Sequence, residues 1–340
     1  MSQFLLPLHS KYFFKMAYNT KNIIVIGAGS IGTAIGNVLA RKDTFNVKLL
    51  SIEADVVESI NNKRRNTKYF PNIKLSKHLT ATTDNNVLKD AGIVFLAIPS
   101  NAIVGYIEKV SGILNPEAIL LNMAKGFGPD RKIITNSLKA VTNNPVCAFK
   151  GPTFARELIN RIPTAFTIGS KDEVHYKLFS ELFEDTNVYI DFTKDVKGVE
   201  ILSLLKNIYA IATGIVDAHF SSPNFRFLFL TKAFNEMREI MLQYGGKEET
   251  MFKYCGFGDF CLTALNDLSR NRTLGLLIGK GFFVEDISDK VTLEGKIAVN
   301  VFCDEISKKR KIKCDYPIIS ELYKLFNEEY DISEFASNVV

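Results

Sequence analysis

The stretch Ile23-Ile24-Val25-Ile26-Gly27-Ala28-Gly29-Ser30-Ile31-Gly32-Thr33-Ala34 decides the fold. Its β-branched run, closed by a glycine, forms a strand that is apolar on both faces, and the segment after Gly29 continues as a helix. At such a junction each glycine of G-x-G-x-x-G has a physical use. Gly27 permits a tight turn, Gly29 lets backbone approach a pyrophosphate, and Gly32 lets helix and strand pack closely. The helix N-terminus then offers unpaired N–H groups to phosphates. Glycine-rich turns alone are common. Here the strand before, the helix after and the place near the start of the chain together point to dinucleotide binding.

Further apolar runs bounded by turn residues follow at Val47 to Ile52, Ile93 to Ile98, Ile119 to Met123, Ala165 to Ile168 and Val188 to Ile190. They read as buried parallel strands, with crossover helices between them. After about Val196 such runs stop. Helical periodicity takes over at Val199 to Ala218, Phe225 to Gln243, Asn271 to Lys280, Ile297 to Ser307 and Ile318 to Asn327. The expected class is α/β: an N-terminal Rossmann-type doubly wound domain over residues 21–196, then an all-helical C-terminal domain over residues 197–340. A helix near Lys197 to Leu205 should be shared between them. No internal repeat or Pro/Gly-rich linker interrupts this plan.

A chain of 340 residues suits two cores. Apolar residues at 46% and charged residues at 23% are a globular balance. The net charge of +5 is interleaved along the chain rather than gathered in a tail, which favours an anionic small molecule over nucleic acid. The five cysteines, Cys147, Cys255, Cys261, Cys303 and Cys314, form no Cys-x-x-Cys pair, so no metal site or disulfide framework is expected and a reducing, cytoplasmic setting fits. Residues 1–20 hold only a short apolar patch broken by Pro7, too short for a secretory core or membrane span. They read as a flexible leader, with Met1 or Met16 as the start.

Glu53 ends the second strand about 20 residues past the last fingerprint glycine, where an acid can bond the adenine ribose hydroxyls. An exposed acid at a helix start is the other reading of that position. No Arg stands beside it to hold a 2′-phosphate. The reaction centre is harder to place, because His9, His78, His175 and His219 all sit in leader, polar or helix-end contexts. Attention therefore moves to Leu204-Leu205-Lys206-Asn207-Ile208-Tyr209, where a lysine and an amide interrupt an apolar helix. Burying an ammonium is costly unless something pairs or uses it, although a lysine there can also snorkel to solvent. Ser269-Arg270-Asn271 precedes an amphipathic stretch, so it can serve either as a plain helix cap or as a phosphate site.

With these segments the chain closely resembles NAD(P)-dependent glycerol-3-phosphate dehydrogenases of the bacterial type. The resemblance runs from about Lys21 to Phe326 through the glycine fingerprint, Lys125-Gly126, Gly151-Pro152-Thr153-Phe154-Ala155, Leu205-Lys206-Asn207, Gly258-Asp259, Leu268-Ser269-Arg270-Asn271-Arg272 and Glu294-Gly295, in that order. It implies Lys206 as proton donor and acceptor, with Lys125, Asp259 and Thr263 around the reacting carbons. It implies substrate contacts from Lys125, Gly151, Thr153, Asn207, Ser269, Arg270 and Asn271. Cofactor contacts follow for Gly27, Gly29, Ser30, Ile31, Gly32, Lys125, Ala155, Arg270 and Glu294, with Glu53 at the ribose. The cofactor is expected to be NAD, NADP being the alternative, and the substrate dihydroxyacetone phosphate or sn-glycerol 3-phosphate. A homodimer and supply of glycerophospholipid synthesis are implied by the resemblance only.

Two lysines converging on one pocket disfavour each other's charged forms, which moves a lysine towards the range useful for proton transfer. Asp259 is then needed to hold the ammonium. The chain departs from the family pattern at Phe127-Gly128, at Ala218 to Asn224 and at Ala264 to Asp267, which touches loop conformation rather than the catalytic set. The competing readings are a β-hydroxyacid dehydrogenase or ketopantoate reductase on the same plan, and a non-catalytic dinucleotide-binding regulator.

Overall fold

The computed structural model describes residues 21–282, 295–304 and 316–340. Its centre is one eight-stranded sheet in the order β3-β2-β1-β4-β5-β6-β7-β8. The strands are β1 (Asn22–Ile26), β2 (Asn46–Leu50), β3 (Leu79–Thr82), β4 (Ile93–Leu96), β5 (Ile119–Asn122), β6 (Val146–Lys150), β7 (Thr164–Gly169) and β8 (Val188–Thr193). Strand residues alternate between two cores. Ile23 and Val25 pack into one with the helix Ser30–Leu39, and Ile24 and Ile26 pack into the other with the helix Ser100–Val110. Covering on both faces is why these strands read as continuous apolar runs.

The sheet differs from the sequence reading in two ways. β3 and β6 are additional strands, and β7 pairs antiparallel with β6 although β7 and β8 are parallel to each other. The reason lies in the connection. Between β6 and β7 the only helix is Ala155–Ile159, which rises about 7.5 Å and cannot carry the chain back along a five-residue strand of about 17 Å. The chain therefore re-enters the sheet from the same end.

The second half is helical, as expected, and is organised by Val196–His219. This helix is long and apolar enough to cross a membrane by length and composition, yet 94% of its apolar window is buried in the protein. It packs against β6 and β7 with its first turns and against the helices Pro223–Gln243, Asp259–Leu265 and Arg270–Gly279 beyond them. Asp195 caps it by accepting from the Gly198 amide (2.9 Å), and the same carboxylate accepts from the Lys247 amide and the Thr250 hydroxyl. A Cβ on Gly275 would stand 2.0 Å from the Ile211 carbonyl oxygen, so Arg270–Gly279 lies backbone to backbone on the long helix. Glu236, buried in this core, accepts from the Tyr209 hydroxyl and from the amides of Ile318 and Ile319, closing the N-terminus of Pro317–Asn327. Residues 295–304 are helical, and the remainder of the helix expected to reach Ser307 lies outside the described residues, as does the leader.

Candidate active site

The turn after β1 has the shape a pyrophosphate requires. Gly27 sits at φ +106°, and a Cβ there would lie 2.6 Å from the Ala97 carbonyl oxygen. A Cβ on Gly32 would stand 2.0 Å from the carbonyl oxygen of Gly27, so helix and strand touch. At Gly29, by contrast, a Cβ would meet nothing within 4 Å among the described residues. That open space beside the first amides of the helix, Ser30 and Ile31 among them, fits a dinucleotide phosphate. Asn66 braces the turn from behind, donating to the Ala28 carbonyl (2.8 Å) and the Thr33 hydroxyl (2.9 Å). Ala155 opens the short helix that packs on Ser30–Leu39.

Glu53 stands just past β2, before the helix Ala54–Lys63, with its side chain partly exposed. Its carboxylate is ion-paired with Lys68, a cation that the sequence reading did not bring to this position. Glu294 lies outside the described residues.

The lysines and acid expected at the reaction centre converge. Asp259 is 1% exposed and accepts from both: its Oδ2 lies 2.8 Å from Lys125 Nζ, and its Oδ1 lies 2.9 Å from Lys206 Nζ. Lys206 also donates to Thr263 Oγ1 at 2.7 Å. The Thr263 hydroxyl spends its own proton on the Asp259 carbonyl (2.6 Å), so its lone pair faces the ammonium. Asp259 and Thr263 share a helix face because they are four residues apart. A π-helical turn at Tyr254–Gly258 delivers that helix to the site. Lys125 follows β5 and donates to the Gly151 carbonyl (3.1 Å), while Asn207 donates to the Lys125 carbonyl (3.3 Å). Burial, reinforced by the neighbouring Lys125 charge and opposed by Asp259, lowers the Lys206 ammonium to about 7. The lysine inside the apolar helix is therefore buried and paired; it does not snorkel.

Lys125, Asn207 and Asn271 line a cleft of about 370 Å³ between the sheet and the helical half. Lys206, Asp259 and Thr263 are buried beside Lys125 rather than in the lining. Arg131 reaches the same cleft and pairs with Asp304. Ser269 is the N-cap of Arg270–Gly279, its hydroxyl accepting from the Arg272 amide. Arg270, the first helical residue, is exposed and pairs with no carboxylate among the described residues. Arg272 is the structural member of the run: buried, it pairs with Asp217 and Asp267 and donates to the Ala264 carbonyl. Thr153 Oγ1 is buried without a hydrogen-bond partner among the described residues. His175 is held in the core by the Ser170 hydroxyl, away from the cleft.

Four side chains near the site escaped sequence reasoning: Lys68, Lys150, Glu200 and Asp217. For Glu200 a signal existed, a charge inside an otherwise apolar helix, the same signal that marked Lys206.

Two family models match almost end to end: the NAD-dependent glycerol-3-phosphate dehydrogenase N-terminus over residues 22–176 and its C-terminus over residues 195–337. Glycerol-3-phosphate dehydrogenase [NAD(P)+] of Methanothermobacter thermautotrophicus is 33% identical over 314 residues, 92% of this chain and 95% of that protein. The protein of the same name from Halothermothrix orenii is 34% identical over 313 residues, 90% of this chain and 91% of its own. Among solved structures, glycerol-3-phosphate dehydrogenase from Coxiella burnetii superposes with a TM-score of 0.84 at 27% identity, covering 94% of this chain and 98% of that one.

Proposed function

This chain belongs to the NAD-dependent glycerol-3-phosphate dehydrogenase family, and on that premise we propose how its residues carry the reaction. The chain is an oxidoreductase that interconverts dihydroxyacetone phosphate and sn-glycerol 3-phosphate with NAD or NADP. The reduced dinucleotide, when bound, supplies a hydride to C2. Lys206 gives the proton that the oxygen on C2 then needs. Two of its three ammonium hydrogens are committed to Asp259 and Thr263, which leaves the third for the substrate oxygen. In the oxidative direction the neutral amine takes the proton back.

Lys125 offers its charge to the developing alkoxide. Asp259 keeps the two ammonium groups together, since without it they would repel each other. The Gly151 carbonyl fixes Lys125, and the unpartnered Thr153 hydroxyl is suited to a substrate oxygen. Arg270 and Asn271, with the first amides of their helix, hold the phosphate dianion, and Ser269 serves as the cap that opens those amides. Glu53 bonds the adenosine ribose and favours NAD, with Lys68 moderating that preference. A cytoplasmic homodimer supplying glycerol 3-phosphate to glycerophospholipid synthesis completes the proposal.

One observation carries this reading: a single buried carboxylate, Asp259, joins Lys125 and Lys206 beside the cleft. The test is oxidation of NADH, followed by absorbance, with dihydroxyacetone phosphate against a panel of 2-oxo and 3-hydroxy acids. Turnover of the phosphorylated triose alone is expected. Comparable turnover of a carboxylate substrate would overturn the phosphate assignment.

A further inference from the structure

We propose that Lys150 and Glu200 form a positioning pair for the reaction and act through Lys125. Lys150 ends β6 with its side chain fully enclosed, at 0% exposure, and its Nζ lies 3.3 Å from Glu200 Oε1. The same ammonium donates to the carbonyl of Ala124, the residue before Lys125. Glu200 stands on the long helix six residues before Lys206 and also accepts from Asn122 Nδ2 (2.6 Å) and the Thr135 amide (3.2 Å). Asn122 in turn accepts from the Ala124 amide at 3.1 Å. Both backbone groups of Ala124 are thus fixed, one by Lys150 and one by Asn122, and Glu200 holds both of those side chains. The network closes on the far side, where Lys125 Nζ donates to Gly151, the residue after Lys150.

Energetics argue against packing as the purpose of the pair. Taking two charges from water is costly, and a well-packed apolar pair of similar volume is commonly as stable or more so. The pair adds no net charge, so its field at the substrate is a dipole's rather than that of a bare ion. What it supplies is rigidity at the Lys125 backbone, in a reaction where a displacement of about 1 Å can cost about 100-fold. Burial lowers the Lys150 ammonium, and Glu200, the foremost of the neighbours that favour the charge, opposes that shift.

The inference rests on Lys125 acting at the reacting oxygen, and a double-mutant cycle separates the two ideas. Lys150→Met is expected to lower kcat for reduction about 10- to 100-fold, with KM for dihydroxyacetone phosphate and for NADH within about threefold of wild type. In a Lys125→Ala background the same change should cost less than about threefold, because the positioned group is gone. Lys150→Met/Glu200→Gln removes both charges and keeps an acceptor for Asn122. It serves if Lys150→Met fails to fold, and it should be folded and similarly slow.

A folded double variant keeping more than about a third of wild-type kcat would overturn the proposal. So would losses that simply add in the Lys125→Ala background, which is what a merely structural pair would give. Wild-type turnover in Lys125→Ala alone would remove the reading of Lys125 and this proposal with it. A slow Lys125→Ala with additive losses would remove only the proposal.

Discussion

Replacing Asp259 with Asn preserves shape at a 1% exposed position and deletes the only carboxylate among the described residues that touches both lysines. The magnitude follows from the geometry. Lys206 Nζ is 2.9 Å from one oxygen, but the charge is shared by two, so an effective separation of about 4 Å is appropriate. At an effective dielectric of about 20 that pair is worth about 4 kcal/mol, or about 3 pKa units. Relaxation leaves a fall of about 2 units as the expectation. Lys206 already stands at about 7 because burial lowers it. At neutral pH its protonated fraction would fall from about one half to about one hundredth, and reduction, which needs the protonated form, should slow about 50-fold.

In the wild type, reduction should decline and oxidation should rise as pH climbs through about 7. In Asp259→Asn both inflections should move about 2 units lower, so reduction partly recovers on acidification. The assay is the pH profile of kcat by nicotinamide absorbance, with circular dichroism to confirm folding. A folded variant that reduces dihydroxyacetone phosphate within about threefold of wild type at neutral pH would refute the reasoning.

Three further outcomes are expected. Arg270→Ala should lower efficiency with dihydroxyacetone phosphate by about 30-fold to several thousand-fold, while dihydroxyacetone without its phosphate, already poor, loses far less; equal losses would assign the residue to cofactor or fold. NADH should be used more efficiently than NADPH, and Lys68→Ala should widen the gap by leaving Glu53 unopposed against a 2′-phosphate; a narrower gap in paired kinetics would contradict the placement of Glu53. Glu236→Ala should lower stability by about 2–4 kcal/mol, because the Tyr209 hydroxyl and the amides of Ile318 and Ile319 lose their shared acceptor. Urea denaturation at constant m-value tests it, and a change below about 0.5 kcal/mol would show that the cap is dispensable.

The legible parts of the sequence were those where local pattern and tertiary role coincide. β1 and β4 are apolar on successive residues because both faces are covered, so the runs announce themselves. The glycine fingerprint was readable because sterics at Gly27 and Gly32 admit nothing larger. β3 was not, since Leu-Thr-Ala-Thr at the sheet edge is short and half polar. β6 ends in Lys150, and a strand closing on a charge looks like the start of a loop until sheet order brings Glu200 to it. The direction of β7 is absent from its composition and depends on the short connection before it.

The lysine cluster was expected from resemblance, while its geometry, two ammoniums on one carboxylate with Thr263 accepting from one of them, required packing of three separate segments. Lys68 beside Glu53 is a loop contact across fifteen positions, and no local pattern encodes it.

The central claim is that Lys206 moves the proton, and Lys206→Ala measured for both turnover and cofactor binding tests it most directly. The expected result is a fall in kcat of about two to four orders of magnitude, with the dissociation constant for NADH within about threefold of wild type. A folded variant that keeps more than about a tenth of wild-type turnover would contradict the account.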